Sequence, residues 1–154
     1  AVKYKDGIMM AADTMVAYGS SLRFASVGNK NKETGEVDLE TSRIHPCGVN
    51  NATLVAASGE FSDFQYIRDR LCEETALEDY VEQDGVRQSP RETAQFLGRV
   101  LYNKRSKMDP YWNQLVVGGF DTTGSGSTPS LHYVDLQGTV FEEDYLATGF
   151  GMHL

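Results

Sequence analysis

The order of elements along this 154-residue chain predicts a layered α+β domain, with antiparallel sheets and helices segregated onto their outer faces. Two observations carry that prediction. Short apolar runs bounded by turn residues occur both before and after a pair of amphipathic stretches, and little suggests a single helix crossing between parallel strands.

The first thirteen residues, AVKYKDGIMMAAD, read as a β-hairpin with Asp6-Gly7 as its turn, because a type I′ turn needs positive φ at both central positions. Residues 7–12 are apolar on both faces and predict a strand covered on both sides. Asp13 ends it, where a lone aspartate most often caps local backbone. Residues 14–24 are polar and read as loop. Residues 28–42 are the most hydrophilic part of the chain, a surface insertion that cannot bury enough apolar area to order itself. A short strand resumes at Arg43-Ile44-His45, Asn50-Asn51 turns the chain, and a strand over 52–58 is closed by Gly59.

Phe61, Phe64, Ile67 and Leu71 then step by three and four residues, which puts one core-facing stripe along a helix. Ser89-Pro90-Arg91-Glu92 is a capping box with proline at the first helical position, where its missing N–H costs nothing. Ala94, Leu97 and Leu101 continue that helix's stripe. Lys104, Arg105 and Lys107 crowd its last turn, where cations favour the helix dipole. Two strands follow, over 113–120 and 130–135, joined by a loop over 121–129 rich in Gly, Ser and Thr. Residues 136–139 turn the chain again, and 147–151 form a tight turn leading into a further helix.

At 17.1 kDa the chain fits one domain. Its net charge of −8 repels nucleic acid and anionic membrane surfaces, so protein or peptide partners are expected. No run approaches the length of a membrane span, and no leader pattern is visible. Cys47, in a His-Pro-Cys-Gly turn, and Cys72, on a helix face, lack ligand spacing and read as free thiols in a reducing compartment. Both ends of the chain read as cut from a longer polypeptide.

Independent chemical motifs are scarce. Ala56-Ala57-Ser58-Gly59 lacks the first glycine of a G-x-S-x-G elbow. His45, His132 and His153 are scattered and read as surface or turn residues, so no metal is expected. Gly124-Ser125-Gly126 precedes a strand rather than a helix, and no cofactor cradle results. From these residues alone the reading stops at a soluble layered domain.

The runs GIMMAAD, YGSSLRF, ASGEFSDFQYIRDRL, LYNKRSKMDPYWNQLVVGGF, YVDLQGTVFEE and ATGFG together resemble the β-type subunits of the 20S proteasome, most of all the non-catalytic member at the seventh β position. The resemblance covers nearly the whole chain apart from residues 28–42 and 121–129. It implies a single proteasome β-type domain over 1–154, a four-layer αββα sandwich of the N-terminal-nucleophile hydrolase type, truncated at both ends. Active members use an N-terminal threonine, its own amine as base, and a nearby Asp, Lys and Ser. The resemblance places that Asp at Asp13, the Lys at Arg43 and the Ser at Phe150, with the nucleophile about four residues before Ala1. An arginine cannot share a proton as lysine does, and phenylalanine has no hydroxyl. The resemblance therefore implies no catalytic residues. It implies a structural subunit of the β ring, in cytoplasm and nucleus, serving ubiquitin-dependent proteolysis with other α and β subunits as partners. Tyr102, Arg105, Lys107 and Met108 are the candidate subunit contacts. The alternatives are an active threonine endopeptidase subunit and a free-standing hydrolase or binding module.

Overall fold

The computed structural model describes residues 1–25, 42–48, 52–81, 88–121 and 128–153. Its central element is a five-stranded antiparallel sheet in the order β5-β6-β7-β8-β9, built from Ile44–Cys47, Thr53–Gly59, Asn113–Asp121, Thr128–Asp135 and Val140–Glu142. Helices α1 (Phe61–Val81) and α2 (Pro90–Ser106) pack on one face. Two separate hairpins precede the sheet, β1–β2 (Val2–Tyr4, Gly7–Met9) and β3–β4 (Met15–Tyr18, Ser21–Ala25).

Alternation along the strands decides which side chains meet the helices. Val55 pairs with Val117 and Leu115 with Val134, and all four are fully buried beneath Phe64, Ile67, Leu97 and Leu101. Each such side chain contributes about 1.5–3 kcal/mol by leaving water. The expected helical stripes are the ones buried. The Ser89 capping box is complete, Ser89 N donating to Glu92 Oε2 at 2.8 Å and Glu92 N to Ser89 Oγ at 3.3 Å. The turn over 136–139 is tied by Asp135, whose Oδ1 accepts from the backbone N–H groups of Gln137 and Thr139.

The opposite face carries Val116 and Leu131, packed with Leu146 against Met10, Ala56 and Tyr133. Here the expectations need correction. The first hairpin turns at Lys5-Asp6, since Tyr4 pairs with Gly7, and neither Asp6 nor Gly7 has positive φ. Gly7 instead lies in β2, where a Cβ would stand 3.0 Å from the Tyr4 hydroxyl at the tip of a half-exposed side chain. The second arm stops at Met9, which is 62% exposed, and Ala11 to Asp13 run on as exposed irregular chain. A strand covered on both sides is thus absent at residues 7–12. Residues 14–24, expected as loop, form the β3–β4 hairpin around Gly19-Ser20.

The His-Pro-Cys-Gly segment is strand rather than turn. Pro46 is accommodated because β5 is an edge strand. Cys47 is buried in it, and His132, expected at the surface, is buried in β8 under the helices. Residues Gly149–His153 form a 3₁₀ turn. The 28–42 insertion lies outside the described residues except for Ser42, as do Asn50-Asn51 and positions 122–127 of the Gly/Ser/Thr-rich loop, whose flanking strands reach Asp121 and Thr128.

Candidate functional site

On the hairpin side of the sheet a cavity of about 600 Å³ opens between the irregular arm after β2, the end of β6 and the segment over 146–151. Backbone pairing fixes its walls. Lys3 N donates to Asp144 O at 2.8 Å and Leu146 N to Ala1 O at 3.0 Å, so the chain following β9 runs beside β1. Arg43 is anchored through its carbonyl, which accepts from Ala57 N at 3.0 Å.

The end of β6 is held unusually tightly. Gly59 has φ of 99°, and a Cβ there would lie 2.0 Å from the Trp112 carbonyl oxygen, so only glycine fits. Asn113 braces the same corner, its Nδ2 donating to the carbonyls of Ser58 (3.2 Å) and Glu60 (2.8 Å), while Glu60 N donates to Trp112 O. This corner places Ser58 and Gly59 on the cavity wall.

Asp13, Arg43 and Phe150, separated by up to 137 residues, all line this cavity. The Arg43 guanidinium forms an ion pair with the Asp13 carboxylate, and its Nε reaches the Asp13 carbonyl at 3.4 Å. Asp13 is therefore engaged by a side chain 30 residues away. Burial lowers the Arg43 guanidinium from its ordinary value, yet arginine stays charged across physiological pH. Phe150 is 94% exposed at the rim between Gly149 and Gly151. Among the described lining residues, Asp13 and Arg43 are the only ionisable side chains. Ser58 and Thr148 also line the cavity, and among the described lining side chains none is an imidazole or an amine.

Ser58, Met10 and Thr148 share the cavity although no sequence motif links them. Another pairing missed from sequence is Cys72 Sγ at 3.6 Å from His45 Nε2, contributed by α1 and β5. Among the described residues, no three His, Cys, Asp or Glu side chains converge as a metal site, and no helix is long and apolar enough to cross a membrane.

The four candidate contact residues cluster at the end of α2. Tyr102 is half-exposed, with the Arg105 guanidinium 6.0 Å from its ring centre, and Met108 is 91% exposed at φ 58°. Lys107 caps the helix through its backbone N–H. Their neighbour Lys104 is already neutralised by Asp109 and lies 4.7 Å from the Tyr111 ring centre.

Over 154 residues the chain is 40% identical to proteasome subunit beta type-4 of Arabidopsis thaliana and 38% identical to probable proteasome subunit beta type-7 of Schizosaccharomyces pombe, covering 54% and 52% of those proteins. Proteasome subunit beta type-4 of Drosophila melanogaster is 37% identical over 153 residues, half of its length. The chain thus spans about half the length of the curated relatives it matches. The proteasome subunit family model matches residues 1–154, and the chain belongs to that family.

Proposed function

We propose that this chain is a non-catalytic β subunit of the 20S core particle, one that builds the β ring and walls the proteolytic chamber. The observation that carries the reading is the cavity itself. Among its described lining residues the one carboxylate, Asp13, is tied up by an arginine, and a phenylalanine stands at its rim. A threonine nucleophile in this family needs a lysine amine beside the carboxylate and a hydroxyl opposite, and Arg43 and Phe150 occupy those positions on the resemblance. The beta type-4 names of the relatives favour the same role. Asp13 then serves as a structural remnant. The full fold on this reading is the four-layer αββα sandwich; a five-stranded sheet with two helices on one face supports it.

Its partners are the other α and β subunits of a hetero-oligomeric ring. Tyr102, Arg105, Lys107 and Met108 are contact residues, since exposed Tyr, Arg and Met are the side chains interfaces favour. The setting is ubiquitin-dependent degradation in cytoplasm and nucleus. The test uses assembled particles carrying the full-length chain. A peptide vinyl sulfone directed at N-terminal threonines should leave this chain unlabelled, and Asp13→Asn should leave every peptidase activity at its parental rate. Covalent labelling of this chain, or loss of one activity in the Asp13 variant, would favour the active endopeptidase instead.

A further inference from the structure

On the far side of the sheet from the cavity, we propose that Cys72 is a site of reversible S-thiolation, with His45 hydrogen-bonded to its sulfur. Cys72 is exposed on α1, and His45 reaches it from edge strand β5 with Nε2 at 3.6 Å from Sγ. α1 and β5 are joined alongside by Gly48 N donating to Thr75 Oγ1 at 3.3 Å, one turn beyond Cys72.

The tautomer follows from burial. His45 Nδ1 is buried and has no hydrogen-bond partner among the described residues. A proton there would be an orphaned buried donor, costlier to strand than an orphaned acceptor, so the neutral ring carries its proton on Nε2 and points it at the sulfur. The ring is neutral near pH 7 because burial, reinforced by Arg68 and opposed by Asp69, lowers His45 below its ordinary value. Among the described residues those two α1 side chains are the charged groups acting on the ring, and Glu73, beside Cys72, is engaged by Arg70.

An N–H aimed at sulfur stabilises the negative charge needed for attack. The co-reactant is a low-molecular-weight disulfide such as glutathione disulfide. The Cys72 thiol proton leaves to water, and the sulfur attacks one sulfur of R–S–S–R. The Cys72–S–S–R bond forms as the R–S–S–R bond breaks, and the departing thiolate is reprotonated by solvent. Cys72 sulfur is oxidised and the departing sulfur reduced, so no further oxidant is required. Cys47, buried in β5, is the internal control.

The experiment exposes the full-length chain, in its native assembly, to glutathione disulfide and follows each cysteine by peptide mass spectrometry. Cys72 should gain one glutathione, lose it to dithiothreitol, and react well ahead of Cys47. His45→Leu should slow it on the order of tenfold, the value of one charge-assisted hydrogen bond. His45→Gln, whose amide N–H can take the place of Nε2, should restore most of the parental rate, which a merely structural role for His45 would not predict. An unmodified Cys72, equal rates in the parent and His45→Leu, or equal rates in the two His45 variants would each overturn the assignment.

Discussion

The two faces of the five-stranded sheet differ in how they are covered, and the difference separates stability from the candidate site. On the helix face, strand residues at alternate positions meet two long helices, and Val55, Leu115, Val117 and Val134 are wholly buried. On the other face a three-residue hairpin pair and the 144–147 segment form a thin cover, leaving the cavity with Asp13, Arg43 and Phe150. A single sheet thus supplies a close-packed core on one side and an open, polar-edged pocket on the other. Close packing makes the first side intolerant of lost volume, whereas solvent can fill the second.

That contrast is sharpest in a pair of truncations. Leu97→Ala, at a 1% exposed position between helix and sheet, should cost about 2–5 kcal/mol in equilibrium urea unfolding. Met10→Ala, half-buried against Val116 and Leu131, should cost about 1 kcal/mol. Equal losses would mean that both faces are packed alike.

Gly59 is where the two faces are joined, since β6 ends there, α1 begins two residues on, and the cavity wall passes through it. Gly59→Ala should cost about 3 kcal/mol, because a side chain at φ 99° is strained and this one also strikes the Trp112 carbonyl. The same unfolding measurement checks it. A loss below about 1 kcal/mol would show that the corner relaxes freely.

Legibility in the sequence divided along the same line. The helices, their stripes and the capping box were readable because their signals are local: spacing by three and four, and a Ser-x-x-Glu start. Asp-Gly is a strong turn signal, yet the first hairpin turns one residue earlier, with Gly7 already in strand opposite Tyr4, a register that is invisible without the fold. The β3–β4 hairpin escapes a sequence reading because its strands, MVAY and SLRFA, are only four and five residues long and flank the turn signal at Gly19-Ser20. At the site, Asp13, Arg43 and Phe150 were picked out by resemblance, not by spacing, and no local pattern could bring together residues so far apart. Cys72 and His45 had no signal at all, since 27 residues and two elements separate them.

The smallest expected effect contrasts one titrating group from each face. His45, under α1, is pushed below its ordinary value of 6.5 by burial, with Arg68 adding to it. Below pH 6.5 the unfolded chain binds a proton that the folded chain declines, so stability falls as pH drops toward the folded value and is flat above 6.5. His45→Gln should therefore reduce the difference between urea midpoints at pH 7.5 and 5.5. On the cavity side, Asp13 is an exposed partner of Arg43, and Asp13→Asn should shift the pH 7.5 midpoint by less than about 1 kcal/mol. An undiminished pH difference in the His45 variant would place the acid sensitivity elsewhere. A large loss in the Asp13 variant would mean that the cavity pair supports the fold as strongly as the buried helix side does.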